Sequence, residues 1–136
     1  MQNSVSLPLQ QKIQWSLFSL RLGVFIVLFV WTLDKFINPA HSSKIFQHFY
    51  GIEGLGESIV YAFGALQLVL VLAFLVGFKK RITYGLVFLL HAGSTFSSFT
   101  KYIDAFNNLL FFAAWPMLAA CLALYLLRDE DTKFTL

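Results

Sequence analysis

A chain of 136 residues suffices for one domain, and this one is 58% hydrophobic and 12% charged, with a mean hydropathy of +0.71. Soluble domains hold roughly 45–50% apolar and about 25% charged residues, and a water-soluble fold this small could not hide sixteen phenylalanines. The net charge of +3 does not mark a nucleic-acid binder, because the basic residues sit at the ends of apolar segments rather than on one soluble face.

Four apolar stretches approach the roughly 20 residues that a helix needs to cross a bilayer. They predict an all-α membrane protein, a single membrane domain over residues 1–136 with spans at about 15–37, 58–78, 82–103 and 108–127. The runs are long and continuous, without the alternation of a membrane barrel. The first lacks a convincing cleavage site and reads as a retained span rather than a signal peptide.

Between the first two spans, Ile45, Phe46, Phe49 and Tyr50 recur at helical spacing opposite Lys44, Gln47 and His48. This pattern predicts a short amphipathic helix lying in the interface, either capping the bundle or acting as a lid. Gly51, Gly54 and Gly56 then supply flexible backbone for the return into the second span. The link Lys79-Lys80-Arg81 is short enough to force a tight hairpin into the third span. By the positive-inside rule this trio faces the cytoplasm, which puts both termini on that side. Lys12, Arg21, Arg128 and Lys133 join it there, leaving Lys35, Lys44 and Lys101 opposite.

Ionisable groups within spans are costly and therefore informative. Arg21 lies about two turns inside the first span, from where it is expected to snorkel to the headgroups. Lys35 shares a face with Thr32 and Arg21, whereas Asp34 points elsewhere and either meets a partner such as Lys101 or reaches water. In the third span Tyr84, His91, Thr95, Ser98 and Tyr102 fall in one narrow stripe, with Ser94 and Lys101 at its edge. Lipid offers these groups no partners, so the stripe is predicted to face the bundle interior. It serves as interhelical hydrogen-bond glue, as a pocket for a quinone-like ligand, or as an ion or proton path.

Gln67 in the second span adds a polar candidate, and Asn107 or Asn108 is expected to cap the fourth helix. Pro116 is expected to kink that helix. The acidic Asp129-Glu130-Asp131 tail reads as a solvated terminus or a contact for partners. The lone Cys121 cannot form an internal disulfide, and no metal-ligand spacing, haem-ligand pair or nucleophile–base arrangement stands out.

Several of these segments together resemble the DoxX pattern. They are Arg21-Leu22-Gly23, Asp34-Lys35-Phe36 with Pro39, the run Ile45 to Gly51, Gly64-Ala65-Leu66-Gln67, and Gly77-Phe78-Lys79-Lys80-Arg81. The resemblance covers about the first two thirds of the chain; the last third matches mainly in hydropathy. The family's second span often carries a glutamate where Gln67 stands, which removes a titrating group here. The resemblance implies a four-transmembrane-helix bundle in the bacterial inner membrane. It also implies association with membrane redox complexes, including quinone-linked sulfur oxidation, and with oxidative-stress assemblies. On that reading the chain is a non-catalytic accessory subunit with a redox-protein partner. A bound quinone would be hydrogen-bonded by His91, Ser94, Thr95 and Ser98 and packed by Trp31 or Trp115. The alternatives are a small homo-oligomeric transporter or channel with its path along the third span, and a scaffold.

Overall fold

A computed structural model describes residues 7–51 and 56–136, and among the described residues it is helical with no strand. Helix α1 (Leu7–Ile37) is followed by α2 (Pro39–Tyr50), α3 (Glu57–Leu75), α4 (Lys80–Ser97) and α5 (Phe99–Ile103). Two 3-10 segments, Ala105–Asn107 and Leu109–Ala113, lead into α6 (Ala114–Leu126). The four long helices close a ring in which α1 packs on α3, α3 on α4, α4 on α6 and α6 on α1.

In α1 the buried positions are Leu17, Arg21, Val24, Leu28 and Thr32, one stripe at the three-and-four spacing of a helix. The rest of its surface is apolar too: Leu22, Ile26, Val27 and Val30 are all exposed. The same holds for Leu66 and Val69 on α3 and for Leu122 and Leu126 on α6. A helix apolar on both its inner and outer faces is stable only where the surroundings are themselves apolar. Three helical stretches, Leu7–Ile37, Ser58–Leu75 and Leu109–Leu126, are long and apolar enough to cross a membrane. The protein is therefore a membrane protein whose helices contact lipid. The interior is small: Leu17, Val24, Leu28, Val71, Phe74, Tyr84, Val87, Cys121 and Leu124 form one cluster.

Local sequence explains the breaks. Pro39 opens α2, and the ring of a proline drives the preceding residue out of helical geometry, so Asn38 falls between α1 and α2. The α3–α4 turn is a Schellman motif: Phe78 N–H bonds Ala73 C=O at 2.9 Å and Gly77 N–H bonds Phe74 C=O at 3.1 Å. Gly77 holds φ at +71°, and Lys79 follows with φ at 47°. Helix α2 packs on α1 and α3 as a cap. Gly51 ends it at φ +68°, while Gly54 and the side chains of Phe46 and Tyr50 lie outside the described residues.

The predicted spans need several corrections. Helix α1 begins well before residue 15, and α3 stops at Leu75 rather than at 78 because the Schellman turn begins there. The third stretch, 82–103, is broken at Ser98 into α4 and α5. The fourth begins as a 3-10 segment rather than as α-helix. Pro116 does not kink an established helix; it lies in the first turn of α6, where its missing N–H costs no hydrogen bond. Neither Asn107 nor Asn108 caps α6. Both reach back instead: the Asn107 side-chain amide donates to the Asp104 carboxylate at 3.0 and 3.1 Å, and that of Asn108 to the Asp104 carbonyl at 2.9 Å.

Gly77 is a point where the fold has no room. A Cβ there would stand 2.8 Å from Thr135 Cβ, in a backbone region that costs L-residues roughly 1–2 kcal/mol. Gly77→Ala is therefore expected to destabilise the protein by about 1–3 kcal/mol and to loosen residues 131–136. Faster carboxypeptidase trimming of the folded protein reads out that loosening. Gly23→Ala, on an open helix face, is the control and should be neutral or mildly stabilising.

Candidate functional site

At the end of the bundle where α1 starts, α3 turns into α4 and α6 stops, the chain folds back over itself. Arg21 and Asp131, 110 residues apart, are both fully buried and joined at 2.5 Å between Nη1 and Oδ1. The other carboxylate oxygen accepts the Tyr84 hydroxyl at 2.6 Å. Arg21 Nη2 donates to the carbonyls of Lys133, at 2.6 Å, and Phe134, at 3.4 Å. Its Nε is buried without a partner. The guanidinium carbon also lies 5.3 Å from the centre of the Phe18 ring.

The segment after α6 is tied down along its length. Gln14 receives the Thr132 N–H and hydroxyl, each at 3.1 Å, and donates to the Glu130 carbonyl. Lys80 donates to the Asp131 carbonyl, and Leu136 N–H bonds Val76 C=O at 2.8 Å. Phe134 sits among Trp15 and Phe18, and the Lys133 ammonium lies 4.4 Å from the Trp15 ring centre. The result is a strap sealing that end of the ring.

The second polar feature runs along α4. His91 Nε2–H donates to the Ala114 carbonyl at 3.0 Å, joining α4 to the start of α6. The Thr95 hydroxyl donates to the His91 carbonyl at 2.8 Å, and that of Ser98 to the Ser94 carbonyl at 3.0 Å. Tyr102 closes the column by donating to the Thr95 carbonyl at 2.9 Å, across the break at Ser98. Trp115 stands beside it, edge-on to Phe96 at 5.7 Å and tilted on Tyr102 at 5.4 Å.

The predicted inward stripe is thus present: Tyr84, Thr95 and Ser98 are buried, and His91 and Tyr102 half-buried. Ser94 lies at its exposed edge. The structure brings His91, Thr95, Ser98 and Trp115 together, but not Trp31, which stacks on His41 at 5.8 Å. Gln67 is half-buried on α3, and Lys35 half-buried on α1 beside Gly64.

Two expectations are overturned, and a third holds with another partner. Arg21 does not snorkel to the headgroups, because a carboxylate comes to it. Asp131 is not part of a solvated tail. Asp34 does meet a partner on a neighbouring helix, but it is His41 of α2, whose Nδ1–H it accepts at 2.7 Å, rather than Lys101, whose ammonium lies over the Phe111 ring at 5.7 Å. Asp131 had a signal in the sequence. An arginine two turns inside an apolar helix requires an anion, and at its end of the bundle the acidic residues are Asp129, Glu130 and Asp131. Compared with known protein families, curated proteins and solved structures, the chain matches none.

Removing one member of a buried ion pair strands the other and costs about 3–5 kcal/mol. Asp131→Asn and Arg21→Gln are each expected to lose that much in unfolding titrations in mixed micelles. The double variant Arg21→Met with Asp131→Leu should lose clearly less than the sum. Additive losses would mean the two groups are not coupled in the membrane protein.

Proposed function

We propose that this chain is a DoxX-like, four-span protein of the bacterial inner membrane with both termini cytoplasmic. On this reading it is a non-catalytic accessory subunit of a quinone-linked redox system. Helix α4 is the third span. Its polar face is turned inward between α3 and α6, and its outer face carries the exposed Leu86, Leu89 and Leu90. Lys79, Lys80, Arg81 and Arg128 gather at the strapped end, and the positive-inside rule supports placing that end in the cytoplasm.

The observation that carries the quinone reading is the setting of His91. Its Nε2–H is committed to Ala114, which fixes the tautomer and leaves Nδ1 as an acceptor for a quinol hydroxyl. Phe96, Tyr102 and Trp115 provide flat apolar surface beside it. The hydroxyl hydrogens of Thr95 and Ser98 are already spent on their own helix, so their oxygens can only accept. The site therefore suits the reduced, proton-donating form of the ligand better than the oxidised one.

A small oligomeric transporter or channel has less behind it. Its path would need free polar groups along α4, and it would have to pass the Arg21–Asp131–Tyr84 cluster and the strap at the basic end.

The test is titration of the purified protein with a short-chain quinone and its quinol. Saturable binding of one molecule per chain is expected, with quinol preferred. His91→Ala should weaken it by about tenfold, the scale of one lost hydrogen bond in an apolar site, with the helical circular-dichroism signal retained and the melting temperature lowered only as far as loss of the single Ala114 bond accounts for. Equal binding by wild type and His91→Ala would sink the assignment.

A further inference from the structure

The strapped end also holds a cleft that neither the ion pair nor the His91 column uses. It is a shallow depression of about 490 Å³, wide open to the outside. Lys79, Lys80, Arg81 and Arg128 line it against one carboxylate, Asp129. Four cations on one wall repel each other and favour an anion between them. Among the described residues none of the four forms a salt bridge.

Their existing contacts orient them without neutralising them. Arg128 donates through Nη1 to the Tyr125 carbonyl at 2.8 Å and stacks over that ring at 4.5 Å, which leaves its other N–H groups available. Lys80 spends one donor on the Asp131 carbonyl and keeps two. The Lys79 ammonium rests 5.6 Å from the Phe78 ring centre, and Arg81 is exposed.

Apolar side chains accompany these cations. Exposed Ile82 lines the cleft beside the cations, the exposed Phe78 ring lies against the Lys79 ammonium, and exposed Leu126 and Leu127 directly precede Arg128 in the chain. A soluble anion has no use for that apolar border, whereas a lipid needs both parts: a phosphate among the cations and acyl chains against the hydrocarbon. Topology alone accounts for basic residues at this end. It does not account for a cleft that groups them beside an apolar rim.

We propose that this cleft binds the phosphodiester headgroup of an anionic phospholipid, held by Lys79, Arg81 and Arg128, with Lys80 linking the lipid site to the strap. The shared chemistry with a free anion is the phosphoryl oxygen; the apolar rim assigns it to a lipid.

The experiment is native mass spectrometry of the full chain, released from detergent after addition of cardiolipin, phosphatidylglycerol or phosphatidylcholine. One anionic lipid per chain is expected to stay bound, with phosphatidylcholine at least tenfold weaker. Each neutralised cation should cost about fivefold, so Arg81→Gln with Arg128→Gln should weaken retention by about 25-fold. Lys101→Gln, at the opposite end, should leave it unchanged. Circular dichroism of the variants checks that these surface changes leave the helices intact. Equal retention of phosphatidylcholine, unchanged retention in the double variant, an equal loss in Lys101→Gln, or displacement by millimolar inorganic phosphate would each overturn the assignment.

Discussion

A guanidinium held in an apolar bundle must find an anion, and the strapped end of this molecule is organised by that requirement. Arg21 faces the ring of helices on the same stripe as Leu17, Val24 and Leu28, so its charge cannot reach water. Asp131 satisfies it only if the chain after α6 turns back over the bundle, and that turn brings the rest with it. Tyr84 takes the second carboxylate oxygen, Gln14 clips Thr132, and Lys80 holds the Asp131 carbonyl. Residue 77 must then be glycine twice over, once for the turn and once to let Thr135 pass. Such a pair contributes little net stability compared with well-packed hydrocarbon. Its effect here is to fix where the last segment lies.

The opposite end follows a different rule. There the polar groups on α4 and α5 are satisfied within a few residues, Thr95 by His91, Ser98 by Ser94 and Asn108 by Asp104. Among the described residues of α4 and α5, His91 reaches across to the Ala114 carbonyl, meeting α6 where the 3-10 segment gives way to α-helix. The two ends therefore differ in what holds them: long-range charge at one, local hydroxyl bonding and aromatic packing at the other. The aromatic surface around Trp115 is the part of the second end with capacity to spare for a ligand.

This division also explains what was legible in the sequence. Faces were: the Arg21–Thr32 stripe and the Tyr84–Thr95–Ser98 stripe follow from 100° per residue, and both are buried. The amphipathic segment before residue 51 and the tight basic hairpin were legible for the same local reasons. Partners were not. Asp34 lies seven residues from His41 but across a proline-induced break, so helical geometry could not place them together. The Arg21–Asp131 pair depends on how the ring closes, which no window of sequence contains. The break at Ser98 falls in a run of hydroxyl residues, and neither it nor the 3-10 geometry before Ala114 leaves a mark in a 100° periodicity.

The separation of Arg21 and Asp131 has a consequence in time. With 110 residues between them and translation at roughly 5–20 residues per second, the arginine leaves the ribosome about 5–20 s before its carboxylate does. During that interval the first helix carries its guanidinium without its carboxylate, and a position that brings Arg21 to the headgroups is favoured over the final one. Asp131 must therefore emerge before the first helix can take the position in which Arg21 is paired.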